Sequence, residues 1–234
     1  MKTIGLIGGM SWESTRLYYD AINQDVRARL GGLHSAQLIL HSVDFAPLAA
    51  HLAAGEWSAL GDRLGQAARG LELAGADCIA LATNTMHNVA EPVRRATRLP
   101  FIHVADVTAT ALTAAGKSRP LLLLATRFTM EQAFYKDILT AHGLQVTVPD
   151  QAARDEVHRI VFEELCRGEI KPSSRAMYEA ETVAGQRRGC DCVILGCTEI
   201  GMLLSDANSA LPTFDTMLLH SRALVDFALA APSA

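Results

Sequence analysis

The chain writes one phrase twice, GADCIALATNT at residues 75–85 and GCDCVILGCTE at residues 189–199. The copies share Gly75 and Gly189, Asp77 and Asp191, Cys78 and Cys192, and Leu81 and Leu195, then part where the first has Thr83 and the second Cys197. A thiol is a base once ionised, whereas a hydroxyl donates a proton but accepts one poorly. The runs leading to them, CIALA and CVILG, are short and apolar, as buried strands of a parallel sheet are. Reactive groups of such sheets gather at the carboxyl ends of strands, and Thr83 and Cys197 each stand at one. Two such ends facing one substrate reach both faces of a single carbon, an arrangement for moving a proton from one face to the other. A helix start after Cys197 would lower its pKa and supply a thiolate. The bland alternative is a pair of tight strand-to-helix turns in which Cys197 is one more buried cysteine.

The neighbours extend the chemical reading. TNT and CTE offer small polar side chains and backbone N–H groups at a helix start, which suit a carboxylate. GGMS at residues 8–11 does the same after the first strand, where glycines allow close backbone approach. GLIGGM is not GxGxxG and no GK[ST] follows, which disfavours a nucleotide loop. The five cysteines are an odd number without a secretory signal, against a disulfide framework. Cys190-x-Cys192 with Cys197 lacks a CxxC pair and a nearby histidine, against zinc. Cys78, Cys190 and Cys192 read as buried apolar side chains. His87, four residues beyond Thr83, either polarises it or packs. Glu164 either borders the site or is an exposed helix carboxylate. Trp12 and Trp57 read as packing residues.

The elements that must position these groups alternate along the chain. Its 234 residues are half hydrophobic, one fifth charged and carry a net charge of −4, ordinary for a globular protein and without the footprint of a nucleic-acid or anionic-membrane partner. The N-terminal apolar run is too short for a signal peptide and LLLLA at residues 121–125 too short for a membrane span, so a cytoplasmic location is expected. Strands are expected over 3–9, 36–45, 78–82, 120–126, 144–150 and 192–196. Helices are expected over 11–30, capped by Ser11, and over 55–75, 86–97, 129–143, 155–168 and 173–189. LPFIHVAD from Leu99 and LPTFDT from Leu211 echo each other as the phrases do. A repeat of more than a hundred residues is a duplicated domain rather than a solenoid. The expected architecture is therefore α/β, two similar domains with parallel-sheet cores related by pseudo-twofold symmetry and a cleft between them. The first domain takes residues 1–100 plus 215–234, with a last helix from Met217, and the second 101–214.

In this order, GLIGGMSWEST, ATNTMH and GCTEIG resemble the aspartate/glutamate racemase family of cofactor-independent amino-acid racemases over essentially the whole chain. GCTE is similar to the aspartate-racemase branch. The resemblance implies an isomerase of two α/β domains, often a homodimer, in which two cysteines act as paired bases without PLP or metal. The second family cysteine falls on Cys197, and the first falls on Thr83; a bacterial subgroup with TNTMH and GCTEIG keeps this Thr/Cys pair. Binding of the substrate carboxylate carries over onto Met10, Ser11, Asn84, Thr85, Thr198 and Glu199, with Thr126 at the matching tip of the second domain's first strand. Aspartate-specific members carry basic residues where this chain has Ala53, Ala54 and Cys166, and neither Arg127 nor Arg167 stands at those family places. The substrate is thus an amino acid of unassigned side chain. A decarboxylase keeping only the second thiol, and a non-catalytic amino-acid-binding protein, are the alternatives.

Overall fold

The computed structural model describes residues 1–231, which divide into two compact units, one of residues 1–103 with those from His220 onward and one of Val104–Leu219. The breaks fall after His103 and after Leu219, three and five residues beyond those expected, because Phe101 still bridges to Ile79 in the first unit and Thr216 Oγ1 still donates to the Leu195 carbonyl in the second.

The first unit runs β1 (Ile4–Gly8), α1 (Trp12–Leu30), β2 (Leu38–Ser42), α2 (Phe45–Ala54), α3 (Trp57–Leu73), β3 (Cys78–Leu81), a 3-10 turn at Thr85–Val89 and α4 (Ala90–Arg95). Its sheet is parallel in the order β2-β1-β3, with Ile4 opposite both Leu38 and Cys78. All of β1 and β3 is buried, whereas β2 is partly exposed at the edge. Such continuous apolar runs are what a parallel sheet covered on both faces demands. Phe101 adds a single parallel bridge to Ile79.

The second unit runs α5 (Val104–Ala114), β4 (Leu121–Ala125), α6 (Arg127–Glu131), α7 (Ala133–Ala141), β5 (Val146–Thr147), α8 (Gln151–Glu163), a 3-10 turn at Leu165–Arg167, α9 (Pro172–Arg187), β6 (Cys192–Gly196), a 3-10 turn at Ile200–Met202 and β7 (Thr213–Asp215). Its parallel sheet has the order β5-β4-β6-β7, with Leu121 opposite Cys192 and Val193 opposite Thr213. The central β4 and β6 are wholly buried. The last helix, α10 (Thr216–Leu229), begins in this unit and continues into residues of the first. The echo in the sequence is structural: Ile79 pairs with Phe101 as Val193 pairs with Thr213.

Local structure departs from the sequence expectation where capping or proline decides. Helices α2 and α5 lie outside the expected set. The former is closed by Asp44, whose Oδ1 accepts from the Ala46 N–H, and by Gly55 in the left-handed conformation. The helix expected over 86–97 opens as a 3-10 turn, because Pro92 has no N–H and fits only the first turn of α4. The one expected over 129–143 is two helices, interrupted by extended Gln132. The helix α8 starts four residues before its expected beginning, capped by the Asp150 carboxylate on the Ala153 N–H.

Candidate active site

Each sheet has one place where the connections leave in opposite directions: between β1 and β3 in the first unit, and between β4 and β6 in the second. In open parallel sheets such a place, beyond the carboxyl ends of the strands, is where ligands bind. Met10 and Ser11 follow β1 and Thr83–Thr85 follow β3, so these residues share one such place; Thr126 follows β4 and Cys197–Glu199 follow β6, sharing the other. All of them are buried.

At the first tip, Gly9 adopts a left-handed φ of 88°, and a Cβ there would run into the Val43 carbonyl. Its N–H donates to Thr15 Oγ1 at 2.7 Å. Ser11 caps α1 as expected, its Oγ accepting from the Ser14 N–H at 3.2 Å. Ser14 Oγ then donates to the Ala82 carbonyl at 3.1 Å, and the Ala82 N–H donates to the Ile7 carbonyl at 2.9 Å. Two different elements thus fix the peptide just before Thr83. Asn84 contributes a buried amide oxygen beside it.

Behind Thr83 lies a group of aromatic side chains that sequence reasoning touched only at His87. His87 Nδ1 is 2.8 Å from the Thr83 carbonyl oxygen. A carbonyl only accepts, so Nδ1 carries the proton. The ring packs edge-on against His103, with centroids 4.4 Å apart, and against His220 at 5.9 Å. His220 Nε2 donates to the Ile102 carbonyl at 2.8 Å, which leaves Nδ1 to accept from the Tyr18 hydroxyl at 2.9 Å. Burial, then the neighbouring histidines, holds His87 far below the usual imidazole pKa; burial followed by Arg94 and His220 brings His103 to about 3, and burial brings His220 to about 4. The cluster is neutral at physiological pH. His103, His220 and Tyr18 are far apart in the chain, and the only sequence signal was the place of His103 in the LPFIH echo.

The second tip is acidic. Cys197 Sγ donates to Glu199 Oε2 at 3.1 Å, and Thr198 Oγ1 donates to the same oxygen at 2.5 Å. Cys166 Sγ lies 3.6 Å from Glu199 Oε1, a contact that sequence reasoning did not foresee. The expectation of a ready thiolate is corrected: burial and the charge of Glu199 push the Cys197 pKa well above that of a free thiol. The segment after it is a short 3-10 turn, not an α-helix whose dipole would favour the anion. Thr126 Oγ1 caps α6 by accepting from the Thr129 N–H at 3.4 Å. Glu164 is buried, with its carboxylate taking the Ser174 hydroxyl at 2.5 Å, Arg159 Nη2 at 2.9 Å and Lys171 Nζ at 3.6 Å. Ser174 and these two cations keep its pKa below the usual carboxylate range. Cys78 and Cys192 are buried inside strands, where burial raises their pKa values to about 11 and about 12. Among the described residues, no three His, Cys, Asp or Glu side chains are grouped so as to hold a metal ion, and no helix is long and apolar enough to cross a membrane.

Paired parallel α/β units with a polar strand tip at each switch point define a class to which known proteins can be compared. The sequence profile of the Asp/Glu/Hydantoin racemase family matches residues 7–224, and the chain belongs to this family. It is similar to a candidate Asp/Glu racemase from Yersinia pestis, with 46% identity, a TM-score of 0.90 and coverage of 98% of this chain and 100% of that one. It is also similar to an aspartate racemase homologue from Pyrococcus horikoshii OT3, with 33% identity, a TM-score of 0.82 and coverage of 97% and 99%. A broad specificity amino-acid racemase from Bacillus subtilis (strain 168) is 25% identical over 165 residues, 70% of each chain.

Proposed function

We propose that the protein is a PLP-independent amino-acid racemase that inverts its substrate by 1,1-proton transfer, with Cys197 and Thr83 acting on opposite faces of the α-carbon. The observation that carries this reading is the Cys197–Glu199 contact at 3.1 Å, at the strand end that matches Thr83 in the duplicated phrase. The thiol is neutral at rest and hydrogen-bonded to a buried carboxylate. Glu199 takes the thiol proton, and the thiolate so formed takes the α-proton. The electron pair left on carbon is held by donors around the substrate carboxylate, for which Met10, Ser11, Asn84, Thr85, Thr126 and Thr198 are the candidates. Thr83 then returns a proton to the other face, and the cycle closes when its hydroxyl is reprotonated and Cys197 passes its proton on. Enantiomers have equal free energy in water, so kcat/KM is the same in the two directions whatever the two bases are. The Thr/Cys asymmetry appears only in how each enantiomer saturates the enzyme.

The substrate proposed is an amino acid not restricted to a side-chain carboxylate. Where the resemblance places a cationic residue, Cys166 instead directs a thiol at Glu199. The Bacillus subtilis relative is named for broad specificity.

The test is deuterium wash-in from D2O over a panel of L- and D-amino acids, after treatment with EDTA and a PLP-trapping hydrazine. α-Deuterium together with inversion in at least one substrate is expected. Release of CO2 from a malonate-type acid without inversion marks a decarboxylase instead, and binding without exchange marks a binding protein.

A further inference from the structure

We propose that His87 is a positioning residue for Thr83, held in a single tautomer and orientation by the buried His103–His220–Tyr18 cluster. The inference rests on the assignment of Thr83 as one of the two proton-transfer groups.

Three successive carbonyls at this tip are pinned. Ala82 is held by the Ser14 hydroxyl, Thr83 by His87 Nδ1 at 2.8 Å and Asn84 by the His87 backbone N–H at 3.0 Å. His87 supplies two of the three bonds, so it fixes the peptide planes on both sides of Asn84 and with them the direction of the Thr83 Cα–Cβ bond. Threonine is branched at Cβ and has few χ1 wells, so fixing its backbone leaves the hydroxyl few directions. The ring itself has little freedom: His103 packs on its edge, and His220 stands beyond, tied to Ile102 and Tyr18.

The second tip lacks this device. The place four residues after Cys197 is Gly201, and a Cβ there would lie 2.6 Å from Asp215 Oδ2, the counterpart of His103 in the LPFIH and LPTFD echo. Loss of His87 should therefore damage one face of the reaction only. A residue that merely packs would lower stability and affect both faces alike.

The experiment follows α-deuterium incorporation and inversion for each enantiomer in the wild type, Thr83→Ala, His87→Ala, His87→Asn and His87→Gln. Misplacing a reacting group by about 1 Å costs roughly 100-fold. His87→Ala and His87→Gln are accordingly expected to slow inversion by about 10- to 100-fold, with KM and Cys197-side exchange each within about 2-fold of wild type. His87→Asn keeps an N–H donor at the place of Nδ1 and should recover most of the rate. Nitrogen-15 NMR should show His87 protonated at Nδ1 in the wild type and in Thr83→Ala. Unchanged inversion in His87→Gln, equal loss of exchange on both sides, or no rescue by asparagine overturns the proposal. If His87→Ala does not fold, the Gln and Asn variants decide. If Thr83→Ala itself still inverts, the assignment of Thr83 falls and His87 with it; if Thr83→Ala stops inversion and His87→Gln does not, only His87 falls.

Discussion

The ends of β3 and β6 occupy the same place in their sheets, yet their surroundings handle protons by opposite means. Thr83 is backed by three neutral imidazoles and a phenol, all buried. Cys197 is backed by a carboxylate that also takes a threonine hydroxyl and faces a second thiol. The two phrases share their strand pattern, and the auxiliary groups differ: His87 against Gly201, His103 against Asp215, Thr85 against Glu199. A weak acid that must only donate needs accurate placement, and a thiol that must become a base needs an acceptor for its proton. The contrast shows how one fold can install two kinds of proton carrier without changing the strands that present them.

The largest effect expected from breaking this contrast is at the second tip. Cys197→Ser should lower exchange and inversion by about 1,000-fold or more, since the hydroxyl is a far poorer base than the thiol. Serine at Cys78, Cys190 or Cys192 should leave turnover of the folded enzyme unchanged; full activity in Cys197→Ser would remove the mechanism.

A smaller loss is expected from Glu199→Gln, which keeps the shape but cannot take the thiol proton. Exchange at neutral pH should fall by about 100-fold, the lower end of the range for a lost general base. The raised thiol pKa leaves Cys197 protonated near pH 7, so its alkylation by iodoacetamide should be slow there and accelerate as pH rises. Removing the adjacent carboxylate charge should shift that acceleration to lower pH. A shift in the opposite direction would show that Glu199 favours the thiolate.

The least effect should fall on stability, and on the first unit before the second. The pKa values of His103 and His220 fall from the ordinary imidazole value of 6.5 to about 3 and about 4 in the fold. Below pH 6.5 the unfolded chain binds protons that the folded cluster refuses, so the stability present above that pH is lost as it falls toward 4. Hydrogen exchange by mass spectrometry at pH 7 and pH 5 should show weakening of the amides in β1 and β3 ahead of those in β4 and β6. Equal weakening in both sheets would mean that the histidines are not the source.

The parts legible in the sequence were those written in local pattern. The apolar runs mark β1, β3, β4 and β6, and the repeated phrase marks the two tips. Helix α2 was hidden because Ala and Leu on most of its faces blur the amphipathic period, and its signals were only the Asp44 cap and Gly55. Gln132 cuts a helix by its backbone conformation alone, which no periodicity records. The state of Cys197 was misread because its pKa depends on burial and on how the Glu199 side chain turns back, neither of which spacing reveals. The histidine cluster draws on residues separated by most of the chain and becomes visible only when α10 lies beside Tyr18 and Ile102.

The discontinuity of the first unit bears on the order of synthesis. Val104–Leu219 is one uninterrupted run, whereas the first unit uses residues from both sides of it. Leu224, Val225 and Ala228 are fully buried, the Lys2 N–H donates to the Ala228 carbonyl, and Arg29 pairs with Asp226. A nascent chain released from the ribosome only as far as Leu219 has everything needed for the second unit, while the core around Tyr18 and Ile22 is still missing its closing helix. Of the two units, the one whose translation begins first is therefore completed second, and Thr83 acquires its full backing only when α10 emerges.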